Sequence, residues 1–589
     1  MSKSRLIIII FAIAVLFLYI FFVVPPVAKG YAFFTGFAAD LLNKKQRIDA
    51  IRNTFPIDRF ITIQRIIYIA GVSLILLFAL AIKYSATLHQ HLSRITFKLK
   101  SSGTATMKTF QEASPTAKIL FSVTLLYLIV HSIYYMLQLP FIHDEAYTIS
   151  NFVLPGPLAS TTFYPYPNNH ILFSLLSYPF SFLPIQPEVA FRLPSLVAVV
   201  ITCFVLFRLL LLCFPSTIAS FGVLVFVCMF PVMSYSVFAR GYSLVFLFTA
   251  LSVYSLIKAI EKGSRFHRVL LILFSILGLY TVPSFMYPFA AIYAVYFFHG
   301  LAKGKRKVMV NAIISGLTCG FCTLLLYLPV IITSGGWDKF KKIVYFGYDD
   351  SFPISKIADF INFVYSIQFF EQSFLIVSGF AFIALTAAIS IRKISTGKAA
   401  LTDTVLFWVC LLGFLAPMIS FLIQGKMVPA RTHSYVAIFF AGYTFIAIKI
   451  SVIDQWKQYA YYGIAVFFVA MNIVFAHKNN LLKGEEYSDR TADLFADKML
   501  EAKQKNDTCY TFDIFYLASF QLKYAISKKQ LAVYQSYPGS PSSASFDYSK
   551  NYNWIVTANN SANVNKDSLK LFYLPAVVRD DATLWRKRH

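Results

Sequence analysis

Two adjacent acids, Asp144 and Glu145, come directly after an apolar run in the stretch Leu139-Pro140-Phe141-Ile142-His143-Asp144-Glu145-Ala146-Tyr147. A carboxylate held at a bilayer edge is partly desolvated, which raises its affinity for a proton, and a hydroxyl nucleophile needs such a proton acceptor. Neighbouring side chains of an extended segment point in opposite directions. One acid would then face a reaction and the other would anchor the loop, with Tyr147 close by. Spacing alone does not say which is which. The plainer alternative is a pair of hydrated acids at the membrane edge.

Further polar groups follow at short intervals. Tyr164-Pro165-Tyr166-Pro167-Asn168-Asn169-His170 offers amide and imidazole groups suited to sugar hydroxyls, although an Asn here equally suits the start of a helix. Arg192, in Phe191-Arg192-Leu193-Pro194-Ser195, has Glu145 and Glu188 as candidate partners, and a structural ion pair is its simplest role. Cations recur in Ala239-Arg240-Gly241-Tyr242 and in the stretch from Gln424 to His433, which contains Lys426 and Arg431. The planar guanidinium fork makes paired, charge-assisted hydrogen bonds to phosphate. Snorkelling toward lipid headgroups is the competing use of such residues. No Gly-rich phosphate loop is present, and no His, Cys, Asp and Glu residues have metal-ligand spacing. The cofactor is therefore open, a divalent metal included.

The elements that position these residues are membrane spans. Of 589 residues, 58% are hydrophobic and 14% charged, against roughly 25% charged in soluble domains. Apolar runs near 5–24, 60–83, 117–138, 189–212, 217–236, 242–259, 268–281, 284–300, 308–332, 372–391, 402–423, 434–452 and 458–476 predict about 13 transmembrane helices at ~20 residues per span. The run from His170 to Ile185, broken by Pro179 and Pro184, predicts an interfacial helix. The net charge of +26 does not indicate a nucleic-acid partner. The basic residues cluster in short loops, such as Lys262 to Arg268, Lys303 to Lys307 and Arg392 to Lys398, which is the positive-inside pattern. It puts 139–188, 333–371, 424–433 and the tail outside. Residues 25–59 go against the pattern, with six Lys and Arg on the outer side.

Three regions result: an N-terminal two-helix membrane extension over 1–116, a membrane domain over 117–478, and a tail over 479–589. The tail is less apolar and predicts a small extracytoplasmic α/β domain, with helices near 486–505 and 514–526 and strands at Thr508–Phe512 and Trp554–Ala558. Asn506-Asp507-Thr508 and Asn559-Asn560-Ser561 match glycosylation sequons. Six of the seven cysteines lie in apolar segments and only Cys509 in the tail, so the tail has no internal disulfide.

Taken in order, Asp144-Glu145 with Tyr147, Asn168-Asn169-His170, Arg192-Leu193-Pro194-Ser195, Arg240-Gly241-Tyr242, Leu279-Tyr280-Thr281 and Pro429-Ala430-Arg431 resemble the GT-C membrane glycosyltransferases of the protein O-mannosyltransferase and aminoarabinose transferase kind. The resemblance covers about 117–476. Many members carry a His-Pro-Pro-like motif where this chain has Asn168-Asn169-His170-Ile171. The resemblance implies that Asp144 is the catalytic base, that a sugar on a polyprenyl phosphate is the donor, and that a glycan, lipid or protein hydroxyl outside the membrane, in a bacterial inner membrane, is the acceptor. Arg240, Lys426 or Arg431 would steady the leaving phosphate. The rival readings are a lipid-linked glycan ligase or polymerase, and a transporter or flippase. A transporter would need mid-membrane charge and repeat symmetry, neither of which the sequence displays.

Overall fold

The structure is a computed structural model that describes residues 28–41, 56–84, 108–164, 167–334, 336–344, 356–424, 428–474, 486–502, 506–512, 517–527, 530–536, 552–559 and 566–588, together with Val24 and Arg52. Among these residues, nine helices are long and apolar enough to cross a membrane, or ten if one bent pair is counted as a span. The chain is therefore a polytopic α-helical membrane protein. The predicted 5–24 span lies outside the described residues apart from Val24.

The other differences from the expected count have local causes. The run 217–236 is broken at Met229 into helices Ser216–Cys228 and Phe230–Val237, which meet at a 68° bend just before Pro231. Proline has no N–H to continue the first helix but fits the first turn of the second. Helix Arg265–Thr281 has 17 residues and stops before Pro283, short of a full span by length. Helix Asp454–Met471 opens on charged Asp454 and Lys457, which dilute its apolar character.

Helix Pro115–Gln138 shows how a span is specified. Ser114 caps it by accepting a hydrogen bond from the Ala117 N–H at 3.3 Å, and Pro115 occupies the first helical position. Ile119, Val123, Leu126 and Val130 recur at helical spacing and are exposed, while Phe121, Thr124, Leu128, Ser132 and Tyr135 are buried on the other face. In a bilayer the exposed apolar face meets lipid, and the small and polar residues turn inward.

The two most enclosed spans, Tyr242–Lys262 and Ala430–Ser451, begin at Arg240-Gly241 and at Arg431 respectively. Both run to the opposite end of the bundle. There the Lys449 ammonium donates to Asp403 Oδ1 and to the Cys213 carbonyl, each at 2.8 Å, tying three helix ends together. The basic turns around Lys262–Arg265, Lys303–Lys307 and Arg392–Lys398 lie at that end, which the positive-inside rule makes cytoplasmic. The segments bearing Asp144, Arg240 and Arg431 then lie at the extracytoplasmic end.

The tail forms a small mixed sheet of β1 (Asn506–Phe512), β2 (Gln530–Ser536), β3 (Trp554–Ala558), β4 (Tyr573–Val578) and β5 (Ala582–Lys587), in the order β2-β1-β3-β5-β4. β1 and β2 run parallel and are joined through helix Leu517–Ile526, as a parallel crossover requires. The sequence reading anticipated β1, β3 and the helices Glu486–Glu501 and Leu517–Ile526, but not the short helix Lys566–Phe572. It missed β2, β4 and β5, whose alternation is blurred by Lys, Pro and Ala residues. The Ser/Pro-rich run after Ser536 and the second half of the Asn559 sequon lie outside the described residues.

Helix Leu517–Ile526 packs on the short helix His143–Thr148, and Leu522 joins the hydrophobic core of the membrane bundle. The tail domain therefore sits on the same end as Asp144. Topology can be tested with introduced thiols, because Cys509 itself is fully buried. Leu571→Cys, at a position 70% exposed, is expected to react with a membrane-impermeant maleimide in intact cells. Lys303→Cys should react only after permeabilisation, and the reverse pattern would invert the orientation.

Candidate active site at the extracytoplasmic end

The two neighbouring acids have different surroundings. The chain leaves Pro115–Gln138 at Leu139-Pro140 and re-enters a helix at His143, so Asp144 and Glu145 lie in one helical turn and not in an extended strand. Glu145 is fully buried and its carboxylate accepts four hydrogen bonds. Two come from Arg192 (Nε to Oε1 at 2.9 Å, Nη2 to Oε2 at 2.6 Å), one from the Ala239 N–H at 2.5 Å and one from the Ile142 N–H at 3.1 Å. The last closes the start of the helix, as an acid at the third helical position often does.

Arg192 is equally committed. Its Nη1 donates to the carbonyls of Met136 and Leu139 at 3.2 and 2.8 Å, and its Nη2 also donates to Pro140 O at 2.6 Å. All five guanidinium N–H groups have acceptors. Three of those acceptors are carbonyls at the end of Pro115–Gln138, which no further helical turn can satisfy. Of the two partners the sequence allowed, Arg192 takes Glu145 and not Glu188. This ion pair fastens the end of one span, the acidic turn and the segment before Arg240 to one another.

Asp144 faces a different set of groups, and its side chain is 21% exposed. Asn168 Nδ2 donates to Oδ1 at 3.0 Å, while Arg240 and Arg431 each approach Oδ2, at 3.4 and 3.6 Å. Thr148, one helical turn on, donates to the Asp144 carbonyl at 2.8 Å and accepts from Arg240 Nη1 at 3.2 Å. Thr148 was missed by the sequence reading, although its place four residues after Asp144 on a short helix is the signal that could have found it. Burial is the largest influence on the Asp144 carboxyl and pushes it up. Arg240, Arg431, His143 and the Asn168 hydrogen bond together overcome burial and hold the carboxyl below its usual range. The charge is thus kept in the folded state. The stability it contributes is present above about pH 4 and is lost as pH falls through the depressed folded value.

The remaining candidates sort by contact. Asn169 is buried with its amide donating to Ser160 O and Phe163 O at 2.8 and 3.0 Å and its oxygen accepting from Ser174 at 3.1 Å, so it holds the turn before helix Ile171–Ser177. The Tyr147 ring packs edge-on against Phe152. Lys426 lies outside the described residues. Among the described residues, no three His, Cys, Asp or Glu converge on a metal-sized site.

His170 lies near Arg240 and Arg431. Its Nδ1 accepts the Gly241 N–H at 2.7 Å, which leaves the proton of the neutral ring on Nε2. Burial, then Arg240 and Arg431, hold its pKa well below the usual histidine value, so the ring stays neutral. A Cβ at Gly241 would come within 2.9 Å of His170 Cβ and Nδ1 and 2.8 Å of Thr281 Cγ2, so the close approach of backbone to imidazole needs glycine. His170 Nε2 and the Tyr164 hydroxyl are buried without a hydrogen-bond partner among the described residues. Such groups are costly unless something else meets them.

Beside the cluster lies a cavity of about 490 Å³ lined by Leu279, Tyr287, Thr323, Tyr327, Phe340 and Gln424 among others. Gly320, on helix Arg306–Thr333, opens its wall, since nothing lies within 4 Å of where a side chain would start. Two aromatic contacts join cavity and cluster. The Tyr287 ring is 5.0 Å from that of His433, two residues after Arg431, and Phe340 is 5.8 Å from Tyr164, which Arg240 also influences. The cavity is mostly apolar, and Asp144, Arg240 and Arg431 are not among the described residues that line it. Compared with known proteins, the chain matches no family model and no curated protein sequence.

Proposed function

We propose that the chain is a glycosyltransferase of the GT-C kind that moves a sugar from a polyprenyl-phosphate donor to an extracytoplasmic hydroxyl, with Asp144 as general base. The observation that carries this reading is the carboxylate between two arginines at the extracytoplasmic end, linked to the apolar cavity through the Phe340–Tyr164 and Tyr287–His433 ring contacts. A lipid phosphate has the matching shape: an apolar tail for the cavity and an anion for the arginines. The Glu145–Arg192 pair has no spare acceptor or donor, so Asp144 is the acid with capacity left for a proton.

In this mechanism the acceptor O–H gives its proton to the Asp144 carboxylate as its oxygen bonds to the anomeric carbon. The bond from that carbon to the phosphate oxygen breaks and the electron pair leaves on phosphate. Attack and departure on opposite faces invert the anomeric centre. The transition state has oxocarbenium character, as in glycoside hydrolysis. Arg240 and Arg431 meet the charge growing on phosphate. Asn168 positions the base.

The test is sugar transfer from a polyprenyl-phosphate hexose in proteoliposomes, with mass spectrometry of co-purified lipid to identify the donor. Arg431→Ala and Arg240→Ala should each cost about 2–4 kcal/mol of transition-state stabilisation, expressed more in donor than in acceptor dependence. If both variants transfer at wild-type rates, neither arginine holds the leaving group.

A further inference from the structure

The arginines suited to the donor phosphate are already engaged. Arg240 and Arg431 converge on the same oxygen, Asp144 Oδ2, at 3.4 and 3.6 Å. Both distances exceed the ~2.7–2.9 Å of a well-formed guanidinium–carboxylate hydrogen bond, so neither contact is at its best geometry. The two arginines also differ in exposure. Arg240 is buried, and its Nη1 is held by the Asp144 carbonyl and Thr148 Oγ1, both at 3.2 Å. The Arg431 side chain is 48% exposed, on the one-turn segment Ala430–His433 at the mouth of the cluster.

A phosphodiester reaching this end presents the same charge as the carboxylate and a better match to the guanidinium fork. Two anions so close to one pair of cations cannot both keep full compensation. We propose that Asp144 and the donor phosphate compete for Arg431. Donor binding then uncovers the carboxylate, so the donor must bind before a proton is taken. This inference rests on the reading of the donor as a lipid phosphate.

The neighbours of Asp144 fit such an exchange. His143 and Glu145 share its helix, and Glu145 is neutralised by Arg192. Arg240 comes from the loop before Tyr242–Lys262, Arg431 from the Ala430–His433 turn, and Tyr235 from helix Phe230–Val237. On the helix packed behind, Lys523 is paired with Asp493 and Asp497 at 3.3 Å each. Arg431 is the one of the two arginines with the exposure to turn away. When it does, Asp144 keeps its burial and loses a cation, which strengthens it as a base. Linkage makes the effect reciprocal: whatever neutralises Asp144 must tighten donor binding.

The experiment measures equilibrium binding of farnesyl methyl phosphate, a phosphodiester that does not titrate between about pH 4 and 8, to the full-length protein in nanodiscs. Asp144→Asn should bind it about tenfold more tightly than wild type at pH 7, within the usual range for coupled sites. Wild-type affinity should be level near pH 7 and rise only below about pH 5, because the free carboxyl lies below its usual range and tenfold coupling raises it by about one unit on binding, and the variant should lose that rise. The slope is read in a His143→Gln background, because that imidazole lies beside Asp144 and acts on its carboxyl. Arg431→Ala should bind weakly with or without Asp144. Equal or weaker binding by Asp144→Asn, or a flat wild-type profile, overturns the competition while leaving the lipid-phosphate reading intact. No binding by wild type at any pH removes both. If Asp144→Asn does not fold, the wild-type slope decides alone.

Discussion

Asp144→Asn is expected to lower turnover by about 10²–10⁴-fold, the usual worth of general-base assistance. The amide keeps the size of the carboxylate but cannot take the acceptor proton. The fold should survive, because Asp144 is partly exposed and its ion pairs are long. Sugar transfer at saturating donor and acceptor, with a melting curve on the same sample, checks both halves. The kinetic pattern is specific: kcat falls while the donor KM falls too, because the amide no longer competes for Arg431. A mutation that merely damaged the site would raise KM. A variant within a few-fold of wild-type turnover would remove Asp144 from the base role.

The largest loss of stability is expected at the other acid. Arg192→Ala should cost about 3–5 kcal/mol, because it leaves the fully buried Glu145 carboxylate without its cation. It also frees the carbonyls of Met136, Leu139 and Pro140 that end the first span of the membrane domain. Glu145→Gln should destabilise in the same direction, stranding the guanidinium. The double variant Arg192→Met, Glu145→Leu should recover much of the loss, since an apolar pair of similar volume carries no uncompensated charge. Thermal melting in detergent measures all three. Glu145→Gln that is inactive yet melts as wild type would exchange the roles of the two neighbours.

Much of the architecture was legible because a bilayer imposes length and apolarity on every span. The candidate spans of the membrane domain could be placed within a few residues, as could the short apolar stretch after His170, seen as Ile171–Ser177 and the turn Tyr178–Phe182. The broken helix at Met229 was not, because hydropathy averages over a window and does not register a change of direction. Strands β4 and β5 of the tail sheet were missed for a related reason. Strands of six residues containing Pro575, Lys587 and Arg586 show little alternation, and their pairing depends on partners distant in sequence.

The sequence by itself determined that this is a membrane protein with its basic loops at one end and that acids and arginines gather at the other. Those properties belong to single segments, where composition and length act directly. It also identified the adjacent acids without ordering them, since two neighbouring carboxylates have the same chemistry and nearly the same local context. Only the tertiary structure gives them different surroundings, by which segments each one faces. Arg192 and the Ala239 N–H converge on Glu145 from segments 47 and 94 residues away. Arg240 converges on the Asp144 backbone from 96 residues away, and Arg431 comes to its carboxylate from the far end of the membrane domain. The role of a carboxylate is set by the charges and donors around it, and here those are brought in by the packing of distant helices.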